Sequence, residues 1–169
     1  EIKEVILNNK GDVDKLVGEN HHHEADLFID CTGFKRLLAK KLKFEWVSYK
    51  KYLPVNSAVA FPTDEMEEYN LYTLAKTMNS GWLWRIPTQT RTGNGYVFNK
   101  DFTTLDEVRK EIHSLYKRDI EIARSFEFEP GYYKEMWKNN VVVAGLAGSF
   151  LEPLEATSIG STIQQMFIL

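Results

Sequence analysis

Short apolar runs separated by polar turn residues begin the chain. Residues 2–7, IKEVIL, and residues 12–17 flank Asn8-Asn9-Lys10-Gly11. This arrangement predicts a β-hairpin, because glycine accepts the positive φ that a tight turn needs. Residues 26–30, DLFID, then predict a short strand that ends at Cys31-Thr32-Gly33. A strand followed so closely by glycine indicates a loop that approaches a ligand.

The middle of the chain is mainly extended. Residues 35–42 predict one or two helical turns, and residues 46–62 alternate between polar and apolar. Because Pro54 and Pro62 interrupt this stretch, we expect a strand at or near a sheet edge. Three more strands are expected at 69–75, 82–86 and 91–99.

One segment has a clear helical period. Leu105, Val108, Ile112 and Leu115 recur at helical spacing after Thr104, which with Glu107 forms a capping-box pair. A mixed region at 126–137 precedes the apolar run 141–144, which predicts a buried strand, and a second helix is expected from Thr157 to the end. The pattern as a whole predicts an α+β fold with a mixed sheet and packing helices.

Composition narrows the possible functions. The 169 residues carry 21 basic and 24 acidic side chains, a net charge of −3, so the basic surface that nucleic-acid binding requires is missing. There is no apolar run of membrane-spanning length and no signal-peptide pattern, so we expect a cytoplasmic protein without a membrane partner. No glycine- or proline-rich linker marks a domain boundary inside the chain.

Two other groups of residues have ordinary interpretations. Cys31 is the only cysteine, and we expect it to be a small buried side chain beside a turn. His21-His22-His23 lacks the spacing of a zinc site, so we expect a solvated loop and no metal.

The string Gly81-Trp82-Leu83-Trp84-Arg85-Ile86-Pro87 places two indoles on one side of a strand. Side chains two apart share a face, so Trp82, Trp84 and Ile86 lie opposite Leu83 and Arg85. This face can be a wall of a pocket for a planar ligand, or it can be packed into the core.

A second string, residues 141–161, leads from the buried strand through Gly145 and Gly148 to a helix start. Free N–H groups near Thr157, Ser158 and Ile159 are suited to holding an anion. Glu155 stands just before them, where a carboxylate can cap the helix or act as a general base.

Four strings in the same order resemble the flavin-dependent halogenase family. Trp82 to Pro87 matches its WxWxIP signature, and Phe150 to Ile159 resembles the segment that carries its catalytic glutamate. Asp26 to Phe34 is similar to its strand beside FAD, and Gly93 to Phe98 gives the fourth match.

The resemblance implies chemistry in which reduced FAD, oxygen and a halide ion yield hypohalous acid, which halogenates an aromatic ring. Glu155 would be the catalytic carboxylate, and the backbone N–H groups of Thr157 and Ser158 would hold the halide. The selectivity wall would be formed by Trp82, Trp84, Ile86 and Pro87. The residues that approach FAD would be Asp30, Gly33, Gly145, Gly148 and Ala156. The family also implies a glutathione-reductase-type fold, a flavin reductase that supplies FADH2, and a small aromatic substrate.

The sequence departs from the family pattern in two ways. Ala156 and Ser158 stand where tryptophan halogenases usually have serine and glycine, so bromide and a substrate such as indole become reasonable expectations. The family's Gly-x-Gly-x-x-Gly turn and its lysine cannot be located. We therefore expect residues 1–169 to be the central third of one halogenase domain, inactive when isolated. A flavin monooxygenase of related fold and a non-catalytic fragment remain alternatives.

Overall fold

The structure is a computed structural model, and it describes residues 1–64, 71–154 and 157–168. Three α-helices are described: α1 Leu37–Lys41, α2 Leu105–Tyr116 and α3 Thr157–Ile168. The strands are β1 Glu4–Leu7, β2 Val13–Val17, β3 His22–His23, β4 Phe28–Asp30, β5 Trp46–Ser48, β6 Ser57–Thr63, β7 Leu74–Met78, β8 Gly81–Pro87, β9 Thr92–Phe98, β10 Arg124–Glu127, β11 Gly131–Tyr133, β12 Trp137–Lys138, β13 Val141–Val143 and β14 Ser149–Phe150.

The chain forms two compact units, one of Glu1–Tyr49 with Pro130–Leu169 and one of Lys50–Glu129. The sequence predicted no domain boundary, because it contains no glycine- or proline-rich linker. The chain leaves one unit and enters the other near residues 49 and 130. Both places are close to paired strands, and their composition is that of a folded domain. That residues 1–169 are the central segment of one larger domain stays a prediction.

The discontinuous unit, Glu1–Tyr49 with Pro130–Leu169, contains three small sheets. The predicted hairpin is confirmed: β1 pairs antiparallel with β2, and the Asn8 side-chain oxygen accepts hydrogen bonds from the backbone N–H of Lys10 and of Asp12. Strand β4 pairs parallel with β13, while β12 pairs antiparallel with the other edge of β13. Strand β11 lies between β14 and β5. A mixed sheet was therefore predicted correctly.

The core of this unit lies beneath the parallel pair. Its buried members come from the hairpin, α1 and the inner strands; they are Val5, Val13, Phe28, Leu38, Ala39, Leu42, Phe44, Tyr133, Val141 and Val143. The amide of Asn140 binds the backbone of Val13 in both directions, at 2.8 and 2.9 Å, and so ties the hairpin to the start of β13.

The continuous unit, Lys50–Glu129, is one antiparallel sheet with the strand order β10-β6-β9-β8-β7 and the helix α2 on one face. The predicted helix is confirmed together with its capping box, in which the Thr104 hydroxyl accepts from the Glu107 backbone N–H and the Glu107 carboxylate accepts from the Thr104 backbone N–H. Val108 and Ile112 are its buried residues. They pack with Val59, Phe61, Leu83, Tyr96 and Phe98 of the sheet.

The strands expected in the middle of the chain are present, with some boundaries shifted. The stretch 46–62, expected at or near a sheet edge, contains β5 at the edge of one sheet and β6 next to the edge strand β10 of another. Pro62 is tolerated there because it is near the end of the strand. The strand expected at 69–75 is β7, Leu74–Met78, and Tyr69 lies outside the described residues. The mixed region at 126–137 includes part of β10, all of β11 and the first residue of β12.

A buried phenol joins α2 to the sheet. Tyr96 is fully buried, and its hydroxyl donates to Glu111 Oε2 at 2.7 Å and accepts from the Ser80 backbone N–H at 3.1 Å. Glu111 also accepts from the Asn79 backbone N–H at 2.8 Å. Burial raises the pKa of Tyr96 above its usual value of 10.0, and the hydrogen bond to Glu111 adds to this effect.

We predict that Tyr96→Phe lowers the free energy of unfolding by about 1 to 3 kcal/mol, because Glu111 and the Ser80 N–H lose a partner. The folded pKa lies above 10.0, so the wild-type stabilisation is present below pH 10.0 and declines as pH rises further. The difference in the free energy of unfolding between wild type and variant should therefore become smaller above pH 10.0. Denaturant unfolding at several pH values measures this difference. Tyr72→Phe, at a 60% exposed phenol, is the matched control and should match wild type throughout.

Candidate active site

Two turns follow the adjacent parallel strands β4 and β13. The register pairs Ile29 with Val142 and Asp30 with Val143, so both strands end at the same level. Each then enters a short 3-10 turn, Gly33–Lys35 after β4 and Gly145–Ala147 after β13. We call these the two glycine turns. They contact each other, and the carboxyl ends of parallel strands are where open α/β sheets bind ligands.

The carboxylate of Asp30 accepts hydrogen bonds from neighbouring groups of the protein. It is 1% exposed; Oδ1 accepts from the N–H and hydroxyl of Thr32, and Oδ2 accepts from the N–H groups of Leu38 and Ala39 at 2.8 and 3.0 Å. These last two groups belong to the first turn of α1, so Asp30 acts as a helix cap. A direct bond from Asp30 to a cofactor stays a prediction, and the four internal bonds give the side chain a different role, which is to hold the first glycine turn in place.

The three glycines assigned to the cofactor differ in the physical reason that disfavours a side chain at each position. Gly33 and Gly145 have φ values of 63° and 59°, which disfavour any side chain. A Cβ built on Gly33 meets no described atom within 4 Å, so its surface is open to a ligand. On Gly148, by contrast, a Cβ would lie 2.6 Å from Met136 Cε. A side chain at residue 148 would thus point toward packed atoms, whereas Gly33 borders open space. Contact of these glycines with a cofactor stays a prediction.

Cys31 is exposed, so the expectation that it is buried was wrong. It directly follows β4, at the point where the chain leaves the sheet. The histidines are exposed as expected, although His22 and His23 form the short strand β3 rather than a loop. Among the described residues, no group of three or more histidine, cysteine, aspartate or glutamate side chains is placed to hold a metal ion.

Helix α3 is described from Thr157, near which the sequence predicts a helix start. That the backbone N–H groups of Thr157 and Ser158 lie in the first turn, without partners within the helix, stays a prediction. Farther along, the Gln165 side chain accepts from the Gly145 N–H at 3.3 Å, so α3 lies beside the second glycine turn. Glu155 and Ala156 lie outside the described residues, and their proposed roles stay predictions.

The indoles of β8 lie on the sheet face opposite α2. Leu83 is fully buried against α2, whereas Trp82 and Trp84 are partly exposed, with ring centroids 6.0 Å apart and ring planes inclined at 56°. We call Trp82, Trp84 and Ile86 the indole face. The two indoles therefore do not belong to the core beneath α2, and their role as a pocket wall stays a prediction. Pro87 ends the strand, and with Ile86 it lines an open groove of about 410 Å³ that also includes Leu71 and Tyr72.

A polar network behind β8 was not foreseen from the sequence. Arg85 donates to the Tyr116 hydroxyl at 3.2 Å, and that hydroxyl donates to Asn94 Oδ1 at 2.8 Å. Asn94 is buried and also donates to Thr63 Oγ1 at 3.0 Å. The usable signal was an asparagine in β9 on the same face as Tyr96 and Phe98, which belong to the core. The network fixes Arg85 on the α2 side, and so fixes which way the indoles point.

The structure thus brings the predicted residues together in two groups. Asp30, Gly33, Gly145 and the start of α3 belong to the discontinuous unit, and the indole face belongs to the continuous unit. A single cavity that includes Trp82 and Glu155 stays a prediction.

The family model for tryptophan halogenases matches residues 1–169. This chain belongs to the tryptophan halogenase family. The tryptophan 6-halogenase SttH of Streptomyces toxytricini is 38% identical over 167 residues, which is 94% of this chain and 32% of that protein. The tryptophan 7-halogenase RebH of Lentzea aerocolonigenes is 37% identical over 142 residues, covering 80% of this chain and 27% of its own length.

Solved structures of halogenases share the fold. The crystal structure of SttH superposes with a TM-score of 0.91 at 35% identity, covering 99% of this chain and 35% of that one. The flavin-dependent halogenase Xcc4156 of Xanthomonas campestris gives a TM-score of 0.88 at 34% identity, with 99% and 34% covered. The chain therefore spans about a third of the length of the halogenases it matches. No described helix is both long and apolar enough to cross a membrane.

We predict that Asp30→Asn in this chain lowers the free energy of unfolding by about 2 kcal/mol or more. An amide nitrogen cannot accept, so at least one N–H group of α1 or Thr32 would be buried without a partner. Chemical denaturation measures the loss. Asp26→Asn, an exposed site four residues earlier, is the control and should change little. Equal stability of wild type and Asp30→Asn would contradict the capping role.

Proposed function

We propose that the protein carrying this chain is a flavin-dependent halogenase that chlorinates or brominates an electron-rich aromatic ring such as indole or tryptophan. The observation that carries the proposal is the match to the tryptophan halogenase family along all 169 residues. The partly exposed pair Trp82 and Trp84 and the open surface at Gly33 support it from the structure.

The cofactor we propose is FAD, and the flavin domain we propose is of the glutathione-reductase type. Gly33 and Gly145 would approach FAD, since both occupy turns after parallel strands and one leaves open space. Asp30 would hold the first turn rather than the cofactor, Gly148 would support the second from within, and Ala156 would lie near the cofactor. When bound, reduced FAD with oxygen and a halide ion supplies hypohalous acid. A flavin reductase would deliver the reduced cofactor.

Glu155 is the residue to which we assign the proton transfer. Electrophilic attack on an aromatic ring leaves a cationic ring that must lose a proton to regain aromaticity. A carboxylate beside the first turn of α3 can orient the oxidant and accept that proton. The N–H groups of Thr157 and Ser158 would hold the halide, because helix N-termini bind anions without a competing charged side chain.

The indole face would contact the aromatic substrate and keep it from the flavin. Flat, weakly polar rings suit a planar apolar partner, and Ile86 and Pro87 would extend this wall to the end of β8. Excluding the substrate from the flavin would favour transfer of halogen over transfer of oxygen.

The test is to incubate the intact protein with reduced FAD, oxygen, chloride or bromide, and either indole or tryptophan, and to weigh the products. A halogenase gives a mass increase that follows the halide supplied. A product that gains oxygen without halide dependence would instead establish the monooxygenase alternative.

We predict that Glu155→Gln lowers the halogenation rate on the order of a hundred-fold or more, the usual contribution of a positioned acid or base. FAD binding, followed by flavin fluorescence, should not change. Glu152→Gln is the matched control, because the Glu152 carboxylate accepts from the Leu154 N–H at 3.1 Å, a bond that an amide oxygen can keep. Full activity in the Glu155 variant would exclude the assigned role.

We predict that Ser158→Gly shifts the preference from bromide toward chloride by about 5-fold, equivalent to about 1 kcal/mol. Removal of Cβ and hydroxyl would let the backbone N–H groups close around the smaller ion. Competition between the two halides in one reaction measures the ratio. Ser158→Ala retains Cβ, so it separates the effect of the hydroxyl from that of bulk. An unchanged ratio in both variants would remove Ser158 from the halide site.

A further inference from the structure

The indole of Trp84 lies directly on the backbone of β9 at Gly95. The two residues are cross-strand partners in the β8–β9 pair. A Cβ built on Gly95 would lie 1.9 Å from Cζ2, 2.0 Å from Cη2 and 2.5 Å from Cε2 of that indole. All three distances are far below van der Waals contact, so any side chain at this position would displace the ring.

Space, rather than backbone conformation, explains this glycine. Positive φ among the described glycines occurs at Gly11, Gly33 and Gly145, and Gly95 is not one of them. Gly95 sits in the regular register of β9, where a residue with a side chain could adopt the same backbone angles.

The cross-strand neighbours reinforce this interpretation. Trp84 pairs with Ala75 on one side and with Gly95 on the other, and Gly95 pairs in turn with Ala60. Trp82, two residues earlier, has the larger neighbours Thr77 and Val97. Room for an indole over the strand therefore exists at Trp84 and is provided by Gly95.

Gly93 is a matched contrast on the same strand and the same face. It pairs with Ile86, and a Cβ built on it would have Ile86 O as its nearest described neighbour, at 3.8 Å. That is an ordinary contact. Adding one methyl group at Gly93 or Gly95 thus makes the same chemical change in the same strand, but only at Gly95 does the methyl meet the indole.

We propose that Gly95 is a positioning residue for the indole face. By leaving out a Cβ, it lets Trp84 lie over β9 and keeps it in contact with Trp82. The effect of Gly95 on the substrate rests on the proposed function, in which the indole face contacts the substrate. The effect of Gly95 on the position of Trp84 does not depend on the proposed function. A methyl group at residue 95 would turn the indole away from the sheet and change the shape of the wall that the aromatic ring meets.

The first measurement is independent of activity. The intact protein is labelled with 5-fluorotryptophan, and the fluorine resonances of Trp82 and Trp84 are assigned with Trp82→Phe and Trp84→Phe. We expect Gly95→Ala to shift the Trp84 resonance and Gly93→Ala to leave it near its wild-type position. A Trp84 resonance that stays in place in Gly95→Ala overturns the proposal.

A double-mutant cycle tests whether the effect passes through the indole. Gly95→Ala should destabilise the protein in the wild-type background and have little effect in the Trp84→Ala background, because the ring it displaces is gone. If Gly95→Ala alone does not fold, folding should return in the double variant. Equal destabilisation in both backgrounds would show that residue 95 acts by another route and would overturn the proposal.

The third measurement concerns the positional specificity of halogenation. In Gly95→Ala we expect the ratio of positional isomers in the halogenated product to change by roughly ten-fold, the lower range for one carbon group in a binding pocket. Gly93→Ala should keep the wild-type ratio. An unchanged ratio in an active Gly95→Ala enzyme with a displaced Trp84 overturns the specificity role. If the wild type does not halogenate, the proposed function fails, and the fluorine shift still decides the positioning role.

Discussion

The register between β8 and β9 is the constraint on which the described part of the continuous unit depends. It pairs Leu83 with Tyr96 and Trp84 with Gly95, so one face receives the apolar core and the other the indoles. A slip of one residue would exchange the two faces. The Arg85–Tyr116–Asn94 network opposes such a slip, since its hydrogen bonds join β8, α2 and β9 on the core side only.

A second constraint acts in the discontinuous unit. The parallel pairing of β4 with β13 brings two turns side by side, although they are more than a hundred residues apart in the sequence. Asp30 then fixes the first turn by capping α1, and Gln165 contacts the second from α3. A buried carboxylate at the end of a strand can suggest a catalytic or ligand-binding role. Here the four internal hydrogen bonds of Asp30 indicate that it holds the first glycine turn in the conformation that leaves Gly33 accessible.

Sequence patterns predicted the elements whose signals are local. The hairpin at Asn8–Gly11, the capped helix α2 and the strands β8 and β9 carry their own turn residues, caps or periods. The two-residue strands β12 and β14 have no such signal, because their pairing depends on distant partners. For the site, motif resemblance indicated Gly33, Gly145 and Gly148, and their contact with FAD stays a prediction. The resemblance could not show that Gly33 faces open space and Gly148 faces Met136, since that difference depends on neighbours remote in the chain. The division into two units was missed for the same reason.

The discontinuity of one unit has a consequence for how the chain acquires its structure during synthesis. The Asn140 amide meets Val13 across a separation of 127 residues, so this link can form only after residue 140 has left the ribosome. Lys50–Glu129 is uninterrupted and has its own hydrophobic core. This unit can therefore fold first. The β1–β2 hairpin completes its contacts only when its distant strand partners have been synthesised. Translation pauses or truncations before residue 140 would leave the Val5 and Val13 side of that hairpin without its covering strands, as a target for chaperones.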